Sequence, residues 1–281
     1  MSIIYILLAS LMFACMGVCV KLASGRFSAA EIIFYRGFIS LLLVAAWMSW
    51  RRLSPRTPHL RTHVSRSLAG TVSLFAYFLA ITMIPLATAV TLNYTSPLFL
   101  ALLLVFWVGQ PSRRGMYVAL GTGFLGIVLL LKPTFNPAQW LGGVLGLASG
   151  MIAAIAYLNV RKLGELGEPE WRTVFWFSAV TSLVGLPWLL IDGSLAHDLT
   201  GWLLVIGVGA FGATAQLCMT AAYKLGETLT IANLAYCTVV FASLFGMILW
   251  NENLSPAAWL GISLIVGSGV ATTRLARSGK R

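Results

Sequence analysis

Ten apolar segments, each about 18–25 residues long and almost free of charge, follow one another along the 281-residue chain. About 20 apolar residues in a helix cross a hydrocarbon core roughly 30 Å thick. Every backbone N–H and C=O inside that core must be satisfied within the structure, so segments of this length have to be helices. The spans fall at about 3–23, 31–50, 67–84, 88–108, 115–132, 140–161, 172–191, 201–223, 228–250 and 256–274. The expected fold is an all-α integral membrane bundle of ten transmembrane helices. The longest connection, residues 51–66, leaves no room for a separate soluble domain.

Only 10% of residues are Asp, Glu, Lys or Arg, against about 25% in soluble domains, so most of the surface must face lipid. The mean hydropathy of +0.88 agrees. The net charge of +11 would suggest a nucleic-acid partner in a soluble protein. Here the basic residues lie between apolar runs, where a topological cause is sufficient, and no nucleic-acid partner is expected. One side collects Arg51, Arg52, Arg56, Arg61, Arg66, Arg113, Arg114, Arg161, Lys162, Arg172, Lys224, Arg274, Arg277, Lys280 and Arg281. The other carries only Lys21, Arg26 and Lys132. Lys and Arg accumulate on cytoplasmic loops, so both termini are expected in the cytoplasm of a bacterial-type inner membrane. That requires an even number of spans. Ile3–Ala23 lacks a basic leader and a small-residue cleavage site, and reads as the first span rather than a signal peptide. Cys15, Cys19, Cys218 and Cys237 all lie in apolar runs with no CxxC pair and read as small buried hydrophobes.

The second half echoes the first. Ala80, Tyr94 and Gln110 align with Ala222, Tyr236 and Glu252, and Leu8-Ala9-Ser10 echoes Leu147-Ala148-Ser149. The expected organisation is therefore two inverted five-helix repeats, residues 1–137 and 138–281, because five spans per unit turn the second copy over. Secondary transporters use such repeats, place the cargo site near the midplane where they meet, and rock one against the other. Gly142, Gly146 and Gly150 recur every four residues and suit close helix contact.

Polar groups at mid-depth are costly against lipid, so they mark a cavity. Asn93, Tyr94 and Ser96 form the densest set, with Pro97 to break the helix. Asn233 and Tyr236 are their counterparts. Tyr77, Tyr157, Gln216 and Trp176 complete the candidate substrate-binding residues. Arg36 reads as the only cation more than one turn inside a span. It either binds a substrate carboxylate or gates the outer mouth, or it snorkels outward and pairs with Glu31 or Glu252. No Asp or Glu lies at mid-depth, and His59, His63 and His197 all fall in loops. Coupling would then use Glu31 or Glu252 at the outer gate, or the cargo simply equilibrates.

Two motifs mislead. Gly121–Gly126 and Gly207–Gly212 both match GxGxxG, but each lies within a helical span and lacks the strand–turn–helix setting of dinucleotide binding. His59 and His63 have a metal-ligand spacing in a surround of Arg61 and Arg66 that disfavours a cation. No cofactor and no metal are expected, no catalytic residue is visible, and no charged ring suggests a channel.

The stretch Leu79–Val90 (LAITMIPLATAV), continuing as Tyr94–Phe99 (YTSPLF), resembles the junction between the third and fourth spans of the drug/metabolite transporter superfamily, EamA group. Ala221–Glu227 (AAYKLGE) and Trp250-Asn251-Glu252 are similar to its second-half version, with Asn251 in place of a glycine. The first half ends Gly109-Gln110 without the acid, and Val239 stands opposite Pro97. The resemblance implies a transporter, not an enzyme, that exports amino acids or related metabolites. Some members import nutrients such as S-adenosylmethionine. The hydroxyls, amides, aromatics and single arginine suit a small polar cargo: an amino acid, or an amino-acid-derived compound such as an opine-type metallophore. An importer of an S-adenosylmethionine-like substrate is the alternative reading. An integral-membrane enzyme would need acid pairs or His clusters that are not seen. The expected partners are this small molecule and the bilayer, with the chain a monomer or homodimer.

Overall fold

The computed structural model describes residues 1–109, 113–132, 139–192, 198–251 and 254–278. Twelve helices run through them: α1 (Ser2–Ala23), α2 (Ala29–Trp50), α3 (Leu60–Met83), α4 (Leu86–Asn93), α5 (Ser96–Phe106), α6 (Arg114–Leu131), α7 (Trp140–Glu165), α8 (Glu170–Asp192), α9 (Leu199–Leu225), α10 (Thr228–Leu234), α11 (Cys237–Trp250) and α12 (Pro256–Ser278). Ten stretches are long and apolar enough to span a bilayer, with Thr88–Phe106 and Thr228–Trp250 each counted as one. The expected spans agree with these to within a few residues, with one exception. α3 begins at Leu60, so Arg61, His63 and Arg66 belong to a membrane helix rather than a loop. Their charge lowers the local hydropathy and hides the first two turns; His63 and Arg66 are buried against neighbouring helices, while Arg61 is exposed.

Large apolar side chains such as Leu42, Leu183, Leu190, Leu203 and Ile248 point outward, as a lipid-facing belt requires. The most extensive helix pairs, α1 with α9, α3 with α7, α6 with α12 and α2 with α8, each join the first half of the chain to the second. Small residues permit the closest crossings. A Cβ on Gly126 would lie 2.6 Å from the carbonyl oxygen of Gly261, and one on Gly150 would lie 2.5 Å from Thr95 Oγ1. The two GxGxxG runs are such packing faces: Gly123 meets Asn233 and Ser268, and Gly209 meets Ile39.

Local chemistry sets the ends. Ser28 and Glu31 form a reciprocal capping box at α2 (Glu31 N to Ser28 Oγ 3.2 Å, Ser28 N to Glu31 Oε2 2.6 Å). Asp198 caps α9 through the Gly201 amide at 3.0 Å, and Glu227 caps α10 through Leu229 and Thr230. Three features recur at equivalent places in the two halves. The carbonyls of Ala80 and Ala222 both accept a terminal amide at 2.9 Å, from Ile84 and Gly226. The fourth span breaks at Tyr94–Thr95 and the ninth at Ala235–Tyr236. Gly109 and Asn251 both adopt left-handed backbone, φ 68° and 52°. Asparagine is the residue that best replaces glycine in that conformation, which accounts for Asn251.

Candidate functional site

Helices α2, α8 and α9 line a small, partly open cavity with room for about one water molecule, bordered by Arg36, Gly37, Ser40, Phe177, Ser178, Thr181, Gly212 and Gln216. Arg36 is half-buried, with its Nε covered and unpartnered. Behind Phe177 and Gln216 lies Arg66 of α3, only 2% exposed. Its Nη2 donates to Gln216 Oε1 at 2.7 Å, while Nε and Nη1 have no hydrogen-bond partner. Both guanidiniums stand over the Phe177 ring, Arg66 Cζ at 3.8 Å and Arg36 Cζ at 5.7 Å from its centroid. The two cations are therefore no farther apart than the sum of those distances. Among the described residues, neither is paired with a carboxylate. Nearby, Tyr157 is stacked on Tyr223 with ring centroids 5.6 Å apart.

This arrangement is costly when empty. A charge at the centre of a membrane helix costs about 2.5–3.5 kcal/mol on insertion scales. Two like charges no farther apart than that bound repel by at least roughly 1.7 kcal/mol at an effective dielectric of ~20. Cation–π contact with Phe177 returns about 2 kcal/mol when desolvated, and the Gln216 bond about 1.5–3 kcal/mol. The uncompensated positive charge and the unpartnered donors are what an anionic group would satisfy.

The hydroxyls of and around the lining are tied to the protein. Ser40 Oγ donates to the Gly209 carbonyl at 2.9 Å, Ser182 Oγ donates to the Ser178 carbonyl at 2.7 Å, and the Thr71 and Thr181 hydroxyls bond one another at 2.9 Å.

Of the residues singled out from sequence, Arg36 and Gln216 line this cavity and Tyr157 lies near it. The others are placed elsewhere. Asn93 Nδ2 donates to Ser149 Oγ at 3.0 Å, tying α4 to α7. Asn233 is fully buried and ties α10 to α12 through Ser268 (3.2 Å) and Thr272 (3.3 Å). Trp176 Nε1 donates to the Pro55 carbonyl at 3.2 Å, and its neighbour Phe177 is the aromatic wall of the cavity. Tyr77 packs with the Ala80, Ile84 and Ala89 cluster, and Ser96 is buried at the start of α5. Tyr94 and Tyr236 meet at the two helix breaks, centroids 6.3 Å apart, with Tyr236 fully buried. Pro97 sits in the first turn of α5, yet the ninth span breaks with Val239 at the equivalent place, so proline is not required for the break. Glu31 serves the α2 cap, and Glu252 lies outside the described residues.

Sequence reasoning missed Arg66, Phe177 and a second polar cluster at one end of the bundle. The first was legible in part: Arg66, Gly70, Ser73 and Tyr77 continue one helical face a turn beyond the expected start of the third span. The second cluster centres on Glu168, 5% exposed, in the turn between α7 and α8. Its carboxylate accepts from Thr57 Oγ1 and from Arg172 Nη1 at 2.8 Å, and lies 3.4 Å from Nε2 of the fully buried His63. Its backbone carbonyl accepts from Lys224 Nζ at 3.2 Å. Burial alone would raise the Glu168 carboxyl, but the bonds from Thr57 and Arg172, with the His63 ring close by, outweigh it and hold it below its ordinary value. His63 is thus no loop residue. It is drawn inside by an acid more than a hundred residues away in sequence.

Membrane-spanning helices around a charged interior cavity, with no described metal-ligand cluster, define a membrane protein that admits a small polar solute. The comparisons identify which kind. The EamA-like transporter family model matches residues 1–132 and 139–274. The chain belongs to that family: it is a multi-pass bacterial membrane transporter of small metabolites, not an enzyme. It is 30% identical over 273 residues to the pseudopaline exporter CntI of Pseudomonas aeruginosa (97% of this chain, 96% of the relative). It is also 24% identical to a riboflavin transporter of Vibrio cholerae over 94% of this chain and 89% of the relative. Identity to an S-adenosylmethionine uptake transporter of Rickettsia felis is 23%, over 88% and 83%. A solved crystal structure shares the fold over 100% of this chain and 99% of that one, with a TM-score of 0.87 at 21% identity.

Proposed function

We propose that this transporter is an inner-membrane secondary carrier that exports a small amino-acid-derived metabolite by alternating access, with a carboxylate of the cargo bound at Arg36. The observation that carries this reading is the pair of interior arginines, Arg36 and Arg66, with unpartnered guanidinium nitrogens and no described acid beside them. A carboxylate meets guanidinium in short, bidentate, charge-assisted bonds. An opine-type metallophore or an amino acid offers that group. A cationic sulfonium such as that of S-adenosylmethionine would face two like charges, which disfavours the import alternative. Export is supported by the direction in the name of the relative at 30% identity.

Alternating access rests on the two-unit architecture, residues 1–137 and 138–281. The recurring cap bonds, helix breaks and left-handed residues support it, as does the pairing of helices across the halves. The Lys and Arg bias supports cytoplasmic termini; in that orientation the Glu168 cluster faces the cytoplasm and the Arg26–Asp198 pair the outside.

The test is flux in vesicles of known orientation. A labelled opine-type compound should enter inside-out vesicles carrying the wild-type protein, and Arg36→Gln should abolish entry. Uptake only by right-side-out vesicles, or transport of S-adenosylmethionine in place of the acid, would overturn the reading. Reporter fusions that put the two termini on opposite faces would overturn the inverted repeat.

A further inference from the structure

The interior holds more positive charge than one carboxylate neutralises. We propose that the cargo carries two carboxylates on separate arms, one bound at Arg36 and the other at Arg66, so that the site selects a dicarboxylate over a single-carboxylate amino acid. This rests on the carboxylate-carrier reading above and narrows its cargo class.

The two cations come from different walls. Arg36 reaches the cavity from α2, beside Gly37 and Ser40. Arg66 approaches from α3, behind Phe177 of α8 and Gln216 of α9, both of which line the cavity. Arg66 is 2% exposed, so its unpartnered Nε and Nη1 have no access to bulk water. Gln216 Oε1 is already taken by Arg66, which leaves its amide nitrogen as a donor toward the cavity. The lining hydroxyls are engaged with backbone or with each other. Ser40 has given its proton to Gly209 and can only accept from a ligand, so the donors for an anion are the guanidinium nitrogens and the Gln216 amide, with the Phe177 ring beside both guanidiniums. One carboxylate would satisfy one guanidinium and leave the other charged and uncompensated in a low-dielectric interior. Two carboxylates on a branched or secondary-amine scaffold satisfy both. A phosphate monoester also brings two charges, but on a single centre.

The experiment uses the purified full-length carrier in lipid nanodiscs and three probes. The first is N-(1-carboxyethyl)alanine, with two carboxylates on one secondary amine. The second is its monoamide, identical in size with one carboxylate removed. The third is O-phosphoethanolamine, whose two negative charges sit on one phosphate. The diacid should bind roughly 30-fold or more tightly than the monoamide, the effect of truncating one partner of a buried charge pair. Arg66→Gln should remove that preference, and Arg66→Lys should retain part of it. Circular dichroism and size exclusion check that the variants are folded. The wild-type ratio needs no variant at all. Equal affinity for diacid and monoamide would overturn the two-carboxylate assignment and leave the carboxylate-carrier reading standing. Preference for phosphoethanolamine over the diacid would also overturn it. Failure of all three probes to bind would overturn both readings together.

Discussion

The two ends of the helix bundle are closed in different ways. At one, the described residues hold an exposed pair of Arg26, in the α1–α2 connection, and Asp198 at the start of α9, with Lys21 lying 3.9 Å over the Trp250 ring. At the other, the nearly buried Glu168 joins the 51–59 segment, α3 and α8 through Thr57, His63 and Arg172, and Lys224 of α9 reaches both its carbonyl and Glu170 (3.2 Å each). Arg172 also reaches the Ser54 carbonyl. A solvated pair is weak and screened by salt. A buried acid with several partners is hard to disturb singly, because removing it strands the partners. The difference implies that separating the Glu168 end is the more costly half of any rocking motion, and the Arg26–Asp198 end the easier one to open.

Glu168→Ala should produce the largest effect. It leaves Arg172 and His63 without their acid and should destabilise the protein by about 3 kcal/mol, read as a lower Tm in detergent. It should also raise thiol labelling of a Thr57→Cys probe in a cysteine-free background. If labelling stays unchanged, this end is not held by Glu168. The pH dependence comes next. Because the Glu168 carboxyl is held below its ordinary 4.5, its contribution is full above that value and is lost as pH falls from there through the lowered one. Tm should be flat from about pH 7 to 5 and decline below about 4, and Glu168→Gln should flatten that decline. Thr57→Ala removes one bond to the carboxylate and should cost about 1–2 kcal/mol, additive with changes at the opposite end. Arg26→Ala should matter least, with a Tm shift smaller than that of Thr57→Ala and one that fades between 50 and 500 mM salt. A larger shift for Arg26→Ala than for Glu168→Ala would reverse the comparison.

Much of the fold was legible because hydrocarbon imposes a crude length rule that sequence displays directly. The paired tyrosines, the small-residue faces and the left-handed Asn251 could all be found by aligning one half on the other. The site was legible only at Arg36, Gln216 and Tyr157. Hydropathy says that Trp176 and Phe177 are both apolar; it does not say which one turns toward the interior. Asn93 and Asn233 have the composition of ligand contacts, but Ser149, Ser268 and Thr272 stand within hydrogen-bonding distance and take their amides.

By itself the sequence determined ten helices, their short connections and the family, because solvation in lipid acts on each segment separately and leaves its mark in local composition. Only the tertiary structure decided that Arg66 and His63 lie inside, and that two guanidiniums share one phenyl ring. The fate of a charge in a membrane depends on which partners reach it, and those partners, Gln216 and Glu168, come from helices and turns far along the chain.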